Sequence, residues 1–291
     1  MTKPPLTITG YSTALFSTWY FISEMGILFD CGDGVVSGLN QKSRKIKHVF
    51  ISHADRDHVC GLLQFNQLNA RNDLNIYYPK DCGSFPRLAE FSAKFDPHVS
   101  GTRWIPLDSN QEIKVRDDLL VRAIDNQHVM DKPGVKSLTY IVESASRKLK
   151  PEFADKSPSE LGILRKQLGR DGITDESRKT QLIYSGDTPI ESDGRYDDAQ
   201  ILIHEATFLT TKELGTGNPH RNKHSSLEQV MEMVAESNVQ TLILGHFSSR
   251  YSFEQIEKAI RHEKTRRKIE IPVFALMPGN VARNVLALEP F

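Results

Sequence analysis

The chain has 291 residues with 37 basic and 37 acidic side chains, so no net field draws it to polyanions, and any hold on nucleic acid must come from local patches. Its 38% apolar content is ordinary for a soluble globular chain and supplies a sizeable core, while no apolar run approaches the length that spans a bilayer. Cys31, Cys60 and Cys82 form an odd, widely spaced set without a CxxC pair, which reads as reduced thiols in a cytoplasmic protein. The start, Met1-Thr2-Lys3-Pro4-Pro5, lacks the apolar centre of a signal peptide, so no membrane association or export is expected.

Residues 6–10 and 19–22 have strand composition, and residues 26–34 read as a third strand that runs into a glycine-rich turn. Asp30 in that turn fits either a helix cap or a partner that holds a metal ligand, and the residues alone do not decide. A short helix is expected over 35–43. Val49, Phe50 and Ile51 then form a short buried strand, followed at once by His53-Ala54-Asp55-Arg56-Asp57-His58. From residue 59 the pattern is helical to about 69. A strand at 74–78, a helix at 85–95 and strands at 103–107, 112–115 and 119–124 come next, and His128 stands just past the last of them.

Residues 137–144 read as another strand. The segment 148–180 is polar and broken by Pro151, Pro158, Gly162, Gly169 and Gly172, an excursion around one short helix at 159–168. Three apolar strands then end in polar blocks. Residues 181–184 lead to Ser185-Gly186-Asp187-Thr188, residues 201–203 to His204-Glu205-Ala206-Thr207-Phe208, and residues 241–244 to Gly245-His246-Phe247-Ser248-Ser249-Arg250-Tyr251. Helices at 227–237 and from 253 to about 264, and strands at 273–276 and 281–286, complete the chain. No linker is long enough to divide it, so residues 1–291 are read as one domain.

Two imidazoles and two carboxylates within six positions, at a strand-to-helix turn, are more than a solvated loop explains. They are the donor set of divalent Zn, Mn or Fe, and alternation along an extended stretch points His53, Asp55 and Asp57 the same way. A catalytic ion needs three or more protein ligands and an open position, so further donors are required at other strand ends. His53, Asp187, His204 and His246 occupy such ends, which describes one cleft at one edge of a sheet sandwich. His204 lies on an apolar strand and is read as structural. His48, His98 and His262 read as incidental and His220 as surface. The basic run at Arg261, Lys264, Arg266, Arg267 and Lys268 reads as a solvated face, whereas Arg250, four residues past His246, is the better candidate for a substrate phosphate.

These blocks resemble the metallo-β-lactamase superfamily and, within it, ribonuclease Z. Phe29-Asp30-Cys31-Gly32-Asp33-Gly34, the His53 cluster, His128, Ser185-Gly186-Asp187-Thr188, His204-Glu205-Ala206-Thr207-Phe208, His224-Ser225-Ser226 and His246-Phe247-Ser248-Ser249-Arg250-Tyr251 follow the family's order over most of the chain. The last two blocks are specific to the ribonuclease Z branch. The resemblance implies an αββα sandwich of two mixed sheets flanked by helices, with a dinuclear metal site at one edge. It implies one ion on His53, Asp55, His128 and Asp187, and a second on Asp57, His58, Asp187 and His246, with Asp187 bridging. Asp57 would orient or deprotonate the attacking water, and Glu205 would orient His224, which would stabilise the phosphorane or protonate the leaving oxygen. Ser225 and Arg250 are the expected substrate contacts, and a homodimer is implied.

The chain departs from the family where His-x-His-x-Asp-His becomes His53-x-Asp55-x-Asp57-His58. An oxygen ligand at Asp55 hardens the site, so Mn or Fe stands beside Zn, the first expectation. The Gly/Pro-rich arm with which the family grips RNA is not recognisable, and the shorter segment 150–180 stands in its place. The expected function is metal-dependent phosphodiester hydrolysis with RNA as substrate, the 3′ end of transfer RNA being the narrower expectation. The alternatives are another hydrolase on this fold, acting on a cyclic nucleotide, sulfate ester or lactone, and a non-catalytic metal-binding module.

Overall fold

The computed structural model describes residues 6–129, 134–191, 194–215, 217–219 and 222–291. Alternation of short apolar strands with amphipathic helices builds two mixed sheets laid face to face. The first comprises β1 (Ile8–Thr13), β2 (Ser17–Ile22), β3 (Ile27–Phe29), β4 (His48–Phe50), β5 (Asn75–Pro79) and β6 (Arg103–Leu107), in that spatial order. Its first three strands are antiparallel, and pairing from β3 onward is parallel.

The second sheet holds β7 (Glu112–Arg116), β8 (Leu119–Asp125), β9 (Leu138–Leu149), β10 (Thr174–Tyr184), β11 (Leu202–Glu205), β12 (Leu242–Gly245) and β13 (Val273–Ala275), again side by side in chain order. Here β7 to β10 are antiparallel and β10 to β13 parallel. Phe29, Phe50, Tyr140 and Tyr184 fill the space between the sheets. Helices α1 (Val35–Leu39), α2 (Arg56–Val59), α3 (Leu62–Asn69) and α4 (Ser84–Phe95) follow strands of the first sheet, and Leu39, Leu62, Phe65 and Phe85 pack on its outer face. Past the helix α5 described below, helices α6 (Leu227–Ala235) and α7 (Phe253–Arg266) cover the second sheet through Val230, Met231, Ile256 and Ile260. The expected αββα sandwich is therefore the fold.

Two expectations are corrected. The segment after residue 148 is an arm: β9 and β10 run on past the core as a two-stranded ribbon, paired from Thr180 with Glu143 out to Thr174 with Leu149. Helix α5 (Pro158–Ile173) caps the ribbon's tip, started by a capping box between Ser157 and Glu160. A ribbon in water on both faces needs no apolar alternation, which is why the residue pattern does not show its strands. The stretch 281–286 is not a strand either. Ala282 makes one bridge to Gly10, after which Asn284, at φ 52°, turns the chain into a 3-10 turn at Val285–Ala287.

Among the described residues, no helix is long and apolar enough to cross a membrane. All three cysteines are free, with Cys31 and Cys82 buried and Cys60 exposed.

Candidate metal centre

Parallel strands leave their C-terminal ends on one edge of each sheet, and both edges meet at the same place. The first sheet delivers Asp30 after β3 and His53, Asp55, Asp57 and His58 after β4; the second delivers His128 after β8, Asp187 after β10, Glu205 at the end of β11 and His246 after β12. The loops approach closely because two glycines interlock. A Cβ on Gly32 would stand 2.3 Å from the Asp57 carbonyl oxygen, and one on Gly61 would stand 2.2 Å from that of Gly32. Asp30 and His246 are held at φ 53° and 58°, a left-handed conformation that costs non-glycine residues energy and persists where the surroundings enforce it.

The imidazoles share one orientation. Ser52 Oγ gives its only proton to Asp30 Oδ2 at 2.8 Å, so at 2.9 Å it accepts from His53 Nδ1. His58 Nδ1 donates to Asp30 Oδ2 at 2.6 Å, and His128 Nδ1 to the Lys223 carbonyl at 2.9 Å. Thr207 Oγ1 donates to Glu205 Oε2 at 2.6 Å and therefore accepts from His246 Nδ1 at 2.9 Å. With every Nδ1 donating, the four Nε2 atoms keep their lone pairs for a cation.

Those Nε2 atoms and the carboxylates close on common points. His53 Nε2 lies 3.7 Å from Asp55 Oδ2, and His128 Nε2 lies 3.5 Å from it. Asp57 Oδ2 is 3.2 Å from His246 Nε2 and 3.6 Å from His58 Nε2. Asp187 Oδ2 stands between the groups, 3.8 Å from His53 Nε2, 3.3 Å from His58 Nε2 and 3.2 Å from His246 Nε2. Ligands about 2.1 Å from a tetrahedral ion are about 3.4 Å apart, so these separations suit metal coordination. Among the described residues no hydrogen-bond partner reaches the buried His53 Nε2, a costly arrangement for a polar atom unless a cation uses it. The donor set fits a divalent ion.

Burial opposes charge on His58, yet the Asp187 and Asp30 carboxylates outweigh it and raise that ring well above its ordinary value, so a cation at its Nε2 would displace a proton. Burial pushes His53 below its ordinary value, favouring the neutral ring that binds metal. The His128 and His53 rings beside Asp55 hold it well below the usual carboxylate range, although its side chain is 63% exposed. Burial raises Asp57 and Asp187, but neighbouring imidazoles outweigh it in both, leaving Asp57 at about 2 and Asp187 well below its ordinary value. Beside this cluster His224 Nδ1 lies 2.9 Å from Glu205 Oε1. Burial opposes charge on that ring, yet the Glu205 carboxylate, with Asp187 behind it, lifts it to about 9.

All seven expected ligands thus lie together, as do Glu205 and His224. Ser225 does not face the cleft: it is fully buried and its hydroxyl donates to the Thr188 carbonyl at 2.8 Å, so it fastens the His224 loop and is not positioned to touch substrate. Arg250 is paired with Glu213 and lies over the Phe208 and Tyr251 rings, at 5.3 and 4.8 Å from their centroids. His204 is buried, its Nδ1 donating to the Glu205 carbonyl at 2.7 Å. His48 lies across the first sheet near Tyr77, and His220 falls outside the described residues. Sequence reasoning leaves Asp30 undecided and passes over Ser52 and Thr207, whose only signal is adjacency to His53 and Glu205.

A two-sheet sandwich with His and Asp gathered at its strand ends defines a metal-dependent hydrolase of the metallo-β-lactamase fold. Residues 26–149 match the family model described as beta-lactamase superfamily domain. The chain is 31% identical over 261 residues to the ribonuclease Z of Ignicoccus hospitalis, spanning 82% of this chain and 83% of that protein. It is 28% identical over 281 residues to the chloroplastic tRNase Z of Arabidopsis thaliana, covering 94% of this chain and 75% of that one. The crystal structure of the short form of human tRNase Z superposes with a TM-score of 0.57 at 20% identity, over 84% of this chain and 93% of that one. The chain belongs to the ribonuclease Z family.

Proposed function

We propose that the chain hydrolyses phosphodiester bonds of RNA at two divalent cations, with zinc foremost and manganese or iron admitted by Asp55, and that it trims the 3′ end of transfer-RNA precursors. The observation that carries this reading is the convergence of four Nε2 atoms on Asp187 Oδ2 and its two flanking carboxylates. His53, Asp55 and His128 would hold one cation and Asp57, His58 and His246 the other, with Asp187 serving both. Bound there, such ions supply positive charge against phosphoryl oxygens and ease the ionisation of water.

The side chains do the rest. Asp57 is ionised at neutral pH and oriented by the Leu15 N–H, which donates to its Oδ2 at 3.0 Å; in this reading it accepts a hydrogen bond from the attacking water. His224, protonated beside Glu205, donates to the leaving oxygen as charge develops there. Glu205 is itself fixed by the backbone N–H groups of Thr188 and Thr207, at 3.0 and 3.1 Å, so the imidazole it holds is pre-aimed. Arg250, within reach of the Phe208 side of the cleft, contacts a substrate phosphate. The arm supports an RNA substrate, since Lys148, Arg165, Lys166 and Arg170 lie along its ribbon and helix. In the same reading the protein works in the cytoplasm as a homodimer.

The test is elemental analysis of purified protein together with cleavage assays. Two transition-metal ions per chain and chelator-sensitive cutting of a 3′-extended transfer-RNA precursor are expected. Metal-replete protein inert toward that RNA and toward an activated phosphodiester overturns the reading. Cleavage of the small diester with the RNA left intact removes the RNA assignment alone.

A further inference from the structure

A cavity of about 500 Å³ opens beside the metal centre and contributes no ligand to it. Tyr11, Phe16, Tyr251 and Phe253 line it, and Glu254 is the one charged residue among the described residues that do. Two hydrogen bonds tie the turn that carries Phe16 to the centre, and a third joins two residues of the cavity wall. Leu15 N–H donates to Asp57 Oδ2 at 3.0 Å, Ala14 N–H to the Phe247 carbonyl at 3.2 Å, and Gly279 N–H to Thr13 Oγ1 at 3.0 Å. Ser249, also on the wall, follows His246 closely in the chain.

The turn between β1 and β2 is built in an unusual way. Leu15 sits at φ 69° with its side chain 88% exposed, and Phe16 beside it is 61% exposed. Two large apolar groups are therefore held in water at the edge of a reaction centre, one of them on strained backbone, which is where strain tends to be functional. Tyr251 is fixed in advance, for its hydroxyl donates to Glu213 Oε1 at 2.6 Å. Aromatic residues along a wall whose own charge is negative suit a flat, neutral group, while Arg250, over the Tyr251 ring, stands by for the adjoining phosphate.

We propose that this cavity receives one unpaired nucleobase flanking the scissile phosphate, stacked against Phe16 and its aromatic neighbours, so that the nucleotide at the cleavage junction is gripped through its base. The proposal rests on the RNA-hydrolysis reading above and adds a subsite to it. Stacking tolerates every base, because each has a π-face, so the subsite selects an unpaired nucleotide without selecting its identity.

The test uses metal-loaded protein and an RNA hairpin with a single-stranded 3′ tail, intact or with an abasic site at either nucleotide bordering the cut. For the unmodified protein, one of the two abasic substitutions should lower kcat/KM by about 5- to 100-fold. Phe16→Ala should lose a similar factor on intact RNA and less than about twofold more on the abasic RNA, since the stack is already gone. Phe16→Trp should restore the dependence on the base. Fluorescence of 2-aminopurine at the sensitive position should be quenched on binding, and Phe16→Ala should relieve the quench. Equal abasic penalties in the unmodified protein and Phe16→Ala, or no abasic penalty at all, overturn the subsite while leaving RNA hydrolysis standing. Failure of the unmodified protein to cut the intact RNA overturns both.

Discussion

Replacing Asp30 by Asn tests whether one buried carboxylate orders half the metal centre. Asp30 accepts from Ser52 N–H at 2.7 Å on Oδ1, and on Oδ2 from Ser52 Oγ at 2.8 Å, His58 Nδ1 at 2.6 Å and the Tyr184 hydroxyl. An amide can present only one acceptor. Turned to serve the three donors on Oδ2, it sets its NH2 against the Ser52 N–H; turned the other way, it opposes three donors at once. The first arrangement leaves one buried backbone N–H without its acceptor, at about 1–3 kcal/mol, and weakens the charge-assisted bonds that remain. A total of about 3–5 kcal/mol is the scale for breaking a buried charged interaction of this kind. At about 2 °C per kcal/mol for a chain of this size, the melting temperature of metal-stripped Asp30→Asn should fall by roughly 6 to 10 °C. The same change loosens the hold on His58 directly, and on His53 through Ser52, so metal affinity should drop about 10- to 100-fold. Affinity is read by competition with a chromophoric chelator well below the melting temperature, and stability by thermal melts of the stripped protein. Unchanged affinity in a folded Asp30→Asn protein would refute the claim that Asp30 aims these imidazoles.

His224→Ala and Glu205→Gln should each lower kcat by about 10²- to 10⁴-fold while metal content stays at the unmodified level, because neither is assigned as a ligand; loss of metal in His224→Ala would contradict its role as proton donor. Gly32→Ala should be strongly destabilising, since its Cβ would press on the Asp57 carbonyl and the Thr18 nitrogen, at 2.3 and 2.6 Å, neither of which can swing aside. Gly162→Ala, where a Cβ meets open space inside α5, should instead stabilise by about 0.5–1 kcal/mol, and paired melts compare the two. Neutralising Arg165, Lys166 and Arg170 on the arm should weaken precursor RNA binding and flatten its salt dependence by about one unit of slope for each phosphate no longer engaged, with cleavage of a small phosphodiester as the control; an unaltered slope would detach the arm from the substrate.

The parts of the fold legible in the sequence are those where burial imposes a pattern. β4, the last residues of β10 at 182–184, β11 and β12 are short apolar runs with a polar residue at the end facing the cleft, so both these runs and their terminal His and Asp stand out. The arm is illegible for the opposite reason, since a ribbon wetted on both faces satisfies itself through pairing and cross-strand charges such as Arg147 with Glu176. Asp30 stays ambiguous because what settles it is distant in the chain: Tyr184 reaches it across 154 positions. Ser225 misleads because a serine beside a catalytic histidine suggests contact with substrate, whereas its place beneath the loop is set by Thr188.

Because β4 and its following turn belong to one sheet, and His128, Asp187 and His246 to the other, any cation seated among them is a rivet through the seam of the sandwich. Tight binding and closure of the two layers are then one thermodynamic event, so a chelator removes cohesion along with reactivity.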